Sequence, residues 1–151
     1  MSARAAAISR AGVVLVAVVC ADQLTKALVN AQIARGDRVS LFPGLGLVNV
    51  RNRGVAFGLL SGGKAPVIVL IALALGALLV YFATHLDRPL LWLATGLLVG
   101  GALGNLVDRV RGDSVVDFID PSLWPAFNLA DAAITIGMLL LLVVVERGGR
   151  A

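Results

Sequence analysis

The chain is poor in charge, in aromatics and in the side chains that hold metals or cross-links. Charged residues make up 15% of its 151 positions, against roughly 25% in an ordinary soluble domain, while 59% are hydrophobic and the mean hydropathy is +0.94. A water-soluble globule is excluded by that balance. The single cysteine, Cys20, excludes an intrachain disulfide framework and a cysteine-based metal cluster. One histidine, His85, leaves a zinc site without its ligands, so neither a metal nor another cofactor is expected. Aromatics amount to 5%, and no aromatic-studded basic surface points to nucleic acid. The net charge of +4 instead suits contact with anionic lipid headgroups.

What is present in quantity is long apolar runs. Four of them, at 11–33, 65–83, 89–107 and 127–145, predict transmembrane helices. The second is uninterrupted and, at 1.5 Å per residue, about 28 Å long, close to the thickness of a hydrocarbon core. Arg4 and Arg10 before the first run resemble the start of a secretory signal, but Asp22 and Lys26 interrupt it and three spans follow, so a retained helix is expected. Pro89 suits the first turn of the third helix, and Gly96, Gly100 and Gly104 at four-residue spacing allow a close neighbour. Asn128 is a plausible N-cap for the fourth. Between the first two helices, residues 34–64 alternate as a strand, with Val48 and Val50 on one edge and Asn49, Arg51 and Arg53 on the other, among glycine and proline turns. The expected fold is therefore a single α-helical membrane domain over 1–151, with four spans and a small β-rich lobe at the membrane surface.

With four spans, the lobe and the 108–126 connection share one side of the membrane. Seven of the nine acids fall there, so one face holds the chemistry, but so do eight of the thirteen basic residues, which by the positive-inside rule would put the lobe in the cytoplasm. Lys26 and Arg109 are better taken as internal partners of acids than as surface charge.

Asp22 and Lys26 lie one helical turn apart, and ionisable groups inside a span pair with one another or line a polar interior. Asn105, Asp108 and Arg109 share one helix end, where a salt network explains them as well as a site does. Asp131, three residues after Asn128, fits a capping box. Asp117 fits no such role. Between Val115-Val116 and Phe118-Ile119 it is partly desolvated, which raises its pKa, and a second carboxylate nearby would leave the pair sharing one proton. Acid proteolysis needs that state: one carboxylate takes a proton from the attacking water while the other protonates the carbonyl oxygen. A proton-coupled transporter would spread its acids near midplane in repeated halves, which are not seen, and a scaffold gives no reason for the two aspartates.

Asp22-Gln23-Leu24-Thr25-Lys26, Asn52-x-Gly54-x-Ala56-Phe57, the run 101–109, Val115-Val116-Asp117-Phe118 and Phe127-Asn128-x-Ala130-Asp131 together resemble the ordered motifs of the lipoprotein signal peptidases, signal peptidase II. The resemblance implies a bacterial inner-membrane aspartyl endopeptidase with cytoplasmic termini and an active site near the outer surface. Such an enzyme cuts prolipoproteins just before a diacylglyceryl-modified cysteine, with membrane lipids around it and one chain sufficient. It implies Asp117 and Asp131 as the catalytic pair, and Asn52, Gly54, Asn105, Asp108, Arg109, Asn128 and Ala130, with Asp22 and Lys26, as residues that shape and support the pocket. Cys20, on an apolar stretch with no base or cation beside it, is expected only to pack.

Overall fold

The computed structural model describes residues 2–52, 64–112 and 114–149, with the side chains of the second helix described from Val69 onward. In chain order the elements are α1 (Ala3–Gln32), β1 (Arg38–Phe42), β2 (Leu45–Asn52), α2 (Lys64–Thr84), α3 (Leu91–Arg111), β3 (Val115–Pro121) and α4 (Leu129–Gly148). All four apolar runs are helical, and the first and third depart from their hydropathy limits for local reasons. Ser2 accepts a hydrogen bond from the Ala5 amide at 3.2 Å, so α1 begins at Ala3 rather than at residue 11. Leu90 takes a left-handed conformation (φ 64°) ahead of α3, which puts Pro89 outside the helix and not in its first turn. Arg109 and Arg111 in the last turn suit the negative end of the helix dipole, and α3 continues past 107 to Arg111. Asn128 caps α4 as expected.

Helix α3 lies at the centre, with α1 on one side and α4 on the other. A Cβ at Gly96 would fall 2.8 Å from the Ala11 carbonyl oxygen and the Val14 Cβ, and one at Gly100 would fall 2.9 Å from the Val18 Cβ. Those two glycines let α1 lie directly on the α3 backbone. Gly101 does the same toward α4, where a Cβ would stand 2.5 Å from the Ala130 carbonyl oxygen. At the end of the bundle nearer the chain termini, Ala11, Phe82, Leu91 and Val144 form a buried apolar cluster. Outward-facing side chains are apolar as well, among them Val13, Val16, Leu24, Leu73, Leu139 and Leu142. The described parts of α1, α3 and α4 are each long and apolar enough to cross a membrane, and the described apolar part of α2 is Val69–Thr84.

The lobe is a three-stranded antiparallel sheet in the order β1-β2-β3. Its third strand comes from the connection between α3 and α4, so the lobe is not confined to 34–64. Along β2 the register advances three residues, from Leu47 opposite Ile119 to Val50 opposite Asp117, while β3 advances two. The extra residue is a bulge, and it reverses the expected edges: Val48 and Asn49 are both buried and Val50 is exposed. Asn49 uses its burial. Its Nδ2 donates to the Ile33 carbonyl at 2.8 Å, its backbone N–H donates to the Asp37 carbonyl, and its carbonyl accepts from Gly36, which fastens the hairpin to the end of α1. Val29, Ile33 and Phe118 fill the space between that helix end and β3.

Candidate active site

The polar residues of three helices and two strands converge at the lobe end of the bundle. On α1, Asp22 is fully buried and Lys26 is 3% exposed, and their side chains meet at 2.8 Å. Lys26 Nζ reaches across to α3 as well, to Asp108 at 2.9 Å and the Asn105 Oδ1 at 3.1 Å. The other oxygen of Asp22 accepts the Ala130 backbone N–H at 3.0 Å, in the first turn of α4, where a carboxylate is electrostatically favoured. One buried pair thereby ties α1 to both of its neighbours. Gly104 makes the approach possible, since a Cβ there would stand 2.8 Å from the Asp22 Oδ2. Two carboxylates against one ammonium leave a negative excess, which neutral donors offset: Gln23 Nε2 donates to Asp108 at 2.9 Å and to Asp22 at 3.3 Å, and the Val116 amide donates to Asp108 at 3.3 Å.

Above this layer lie the two remaining acids. Asp117, on β3, is 3% exposed and accepts from Asn128 Nδ2 at 2.7 Å and Asn52 Nδ2 at 2.9 Å. Asp131, half-buried on α4, accepts from Asn105 Nδ2 at 2.8 Å and from the Asn128 backbone N–H at 3.3 Å. Its own amide donates to Asn128 Oδ1 at 2.9 Å, completing the capping box. Asn128 therefore holds both acids with one side chain, its nitrogen on Asp117 and its oxygen on the Asp131 backbone. Among the described residues, neither acid has a lysine or arginine within ion-pair distance. Burial pushes the Asp117 carboxyl above its ordinary 3.8, opposed by the two asparagine amides and reinforced by the charge of Asp131. Beside Asp131 a cavity of about 400 Å³ opens, lined by Trp124, Phe127, Thr135 and Ile136. A carboxyl whose burial favours its protonated form, next to another that faces a cavity, is suited to general acid and general base steps on one bound amide.

Nine of the eleven expected site residues come together in this network: Asp22, Lys26, Asn52, Asn105, Asp108, Asp117, Asn128, Ala130 and Asp131. Gly54 lies outside the described residues, as does the expected glycine turn from 53 onward. Arg109 departs from expectation. Its guanidinium donates to the Asn105 carbonyl at 3.2 Å, and among the described residues it forms no ion pair, while Lys26 is the cation that meets Asp108. Cys20 is exposed on the outer face of α1 and packs against no core. Gln23 stands inside the first motif but is assigned no role by it; its position three before Lys26, on the same helical face, is the signal that marks it as part of the network.

A family model described as signal peptidase (SPase) II matches residues 14–146. The chain is similar to the lipoprotein signal peptidase of Syntrophomonas wolfei, 45% identical over 134 residues that cover 88% of this chain and 90% of that one. The lipoprotein signal peptidase of Halothermothrix orenii is 39% identical over 132 residues, covering 87% and 91%. A bacterial membrane enzyme solved by the in meso method at 1.9 Å superposes with a TM-score of 0.84 at 35% identity, covering 91% of this chain and 93% of the other.

Proposed function

The chain belongs to the signal peptidase II family and removes signal peptides from prolipoproteins, and from that premise we propose that it does so as an aspartyl endopeptidase with Asp117 and Asp131 as its catalytic pair. The observation that carries this reading is the sharing of Asn128 between two acids that have no cation partner among the described residues. One carboxylate takes a proton from water as the water oxygen attacks the scissile carbonyl carbon. The other gives its proton to the carbonyl oxygen, and a neutral tetrahedral diol forms. In collapse the carbon–nitrogen bond breaks, the leaving amine takes the proton held by the acid that had served as base, and a diol hydroxyl gives its proton to the other carboxylate, so the dyad ends singly protonated. Asp117, whose buried carboxyl keeps its proton to higher pH, is suited to be the donor in the first step. Asn52, Asn105 and Asn128 hold the planes of the two carboxyls through side-chain hydrogen bonds.

The substrate follows from the setting. A lipid-anchored chain approaches only sideways through the bilayer, and the cavity beside Asp131 lies between the connection that follows β3, at Trp124 and Phe127, and the first turns of α4. The chain accordingly cuts before a diacylglyceryl-modified cysteine, as an inner-membrane protein of four spans with cytoplasmic termini and the lobe outside. Asn52, Asn105 and Asn128 hold the two acids, and Asp22, Lys26, Asp108 and Ala130 brace them from beneath, while Gly54 and Arg109 are taken as pocket residues from the motif resemblance; one chain suffices. Purified protein given a diacylglyceryl-modified prolipoprotein should release the signal peptide, seen as a gel shift, and should leave the unmodified precursor intact. Equal cleavage of both, or activity that is lost on chelation and restored by a metal, contradicts the reading.

A further inference from the structure

Behind β3, on the side away from the dyad, a second cavity of about 300 Å³ lies between the lobe end of α1, the β2 edge and the end of α3. Its deep wall carries Lys26 and Asp108, whose opposite charges meet at 2.9 Å and cancel. Its rim carries two guanidiniums, Arg51 and Arg111. Neither is neutralised by a described acid. Each is held by a neutral amide of α1 instead, Arg51 by the Asn30 Oδ1 at 2.9 Å and Arg111 by the Gln23 Oε1 at 3.1 Å. A guanidinium has five N–H donors, so both keep free donors while their positions are fixed. Ser114 adds a hydroxyl to the lining.

The height of this cavity is marked by its neighbours. Leu24 and Leu28, in the same turns of α1, are 61% and 49% exposed, and Val110, next to Arg111, is 75% exposed. Apolar side chains turned outward in a membrane protein face acyl chains, so the cationic rim stands where acyl chains give way to headgroups. Two pre-positioned guanidinium forks match the oxygens of a phosphate in charge and in geometry. We propose that this cavity is a phosphate site, separate from the dyad, that takes the phosphodiester of an anionic phospholipid headgroup between Arg51 and Arg111. Its occupation bridges β2 to α3 from behind and fastens the strand that carries Asn52.

The test is binding, which does not depend on cleavage. The full-length protein in neutral detergent is titrated with dihexanoyl phosphatidylglycerol, with inorganic phosphate and with dihexanoyl glycerol, followed by native mass spectrometry and by the thermal unfolding midpoint. Saturable binding of the phosphatidylglycerol is expected, weakened roughly tenfold by Arg51→Gln or by Arg111→Gln, each of which removes a charged hydrogen-bonding group. Ser114→Asp, which places a negative charge in the cavity without deleting a described hydrogen bond, should abolish it and serves if either arginine variant fails to fold. Competition by inorganic phosphate locates the affinity in the phosphate; binding of inorganic phosphate alone supports the site with a soluble ligand in place of the lipid. Equal binding of the phosphate-free glycerol lipid, or binding unchanged in Ser114→Asp, overturns the proposal.

Discussion

Helices α1 and α3 meet along one seam that is built in two ways. In its lower half Gly96 and Gly100 bring backbone against Ala11, Val14, Leu15 and Val18, and the contact is close packing alone. In its upper half the same four-residue spacing continues to Gly104, but what approaches there is a carboxylate, Asp22, with Lys26, Asn105 and Asp108 around it. The sequence pattern is one and the chemistry is two. A stripe of small residues in a membrane helix sets how near a neighbour comes, and the residue on that neighbour decides whether the nearness serves packing or a buried charge network.

The largest effect should separate the proposed catalytic pair from the charge network in the upper half of the seam. Asp117→Asn and Asp131→Asn keep size and most hydrogen bonding, so each should insert and fold while losing roughly 10²–10⁴-fold in turnover, the usual worth of an acid–base step. The double variant should be hardly worse, because the pair works as one unit. Substantial cleavage by folded Asp117→Asn would end the dyad assignment. Next, Lys26→Ala strips the cation from two buried carboxylates and should cost about 3–5 kcal/mol in detergent unfolding, with activity lost alongside. Adding Asp22→Ala should recover part of that stability; if Lys26→Ala alone is as stable as the parent, the upper half is not held by charge.

The two kinds of seam can be compared directly through Gly96→Ala and Gly104→Ala. Both overpack, at about 1–3 kcal/mol each. Only Gly104→Ala should also lower turnover, since it displaces Asp22 and with it the Ala130 amide at the start of α4. Equal loss of turnover per kcal/mol of destabilisation in both would erase the distinction.

A smaller effect concerns pH. Burial raises Asp117 above 3.8, so the folded chain binds that proton more tightly than the unfolded chain. Its contribution to stability is therefore fully present below 3.8 and is lost as pH rises through the raised value. The alkaline limb of the activity profile reports the pair as a whole. Because the Asn52 amide favours the ionised form, Asn52→Ala should move that limb to higher pH; a move to lower pH would mean that the Asn52 amide does not stabilise the ionised carboxylate. The smallest effect is expected of Cys20→Ala. That side chain is exposed on α1, so turnover and unfolding should stay unchanged and thiol reagents should leave cleavage intact.

These contrasts also explain what the sequence made legible. Asp22 and Lys26, Asp117, and the Asn128–Asp131 cap stood out because each is a local anomaly, a charge in an apolar run or a cap at fixed spacing. All are found where they were expected. The edges of β2 did not, because a bulge of one residue exchanges the two faces and leaves no mark on composition. The third strand was visible as an extended run, but its partner lies 65 positions away, as in the hydrogen bond from Asn52 to Asp117, and such pairing is set by the fold. The partner of Arg109 is not legible for a similar reason: charge marks it as an internal partner of an acid, and only packing shows its guanidinium on the Asn105 carbonyl while Lys26 meets Asp108.

The pairing of Asp22 with Lys26 within a single helical turn also bears on how the chain is made. Among the described residues the close helix-to-helix backbone approaches of α1 are to α3 and α4 and none is to α2, so the polar pair of α1 meets its surroundings only when those later helices arrive. Until then the Asn105, Asp108 and Ala130 groups that will surround Asp22 and Lys26 do not yet exist. An ion pair closed inside one helix needs none of them, since it cancels its own charge as soon as the turn forms and lowers the cost of holding both groups in lipid. The residues that later brace the active site thus first act as a passport for their own helix, admitting it to the bilayer before the rest of the site has been translated.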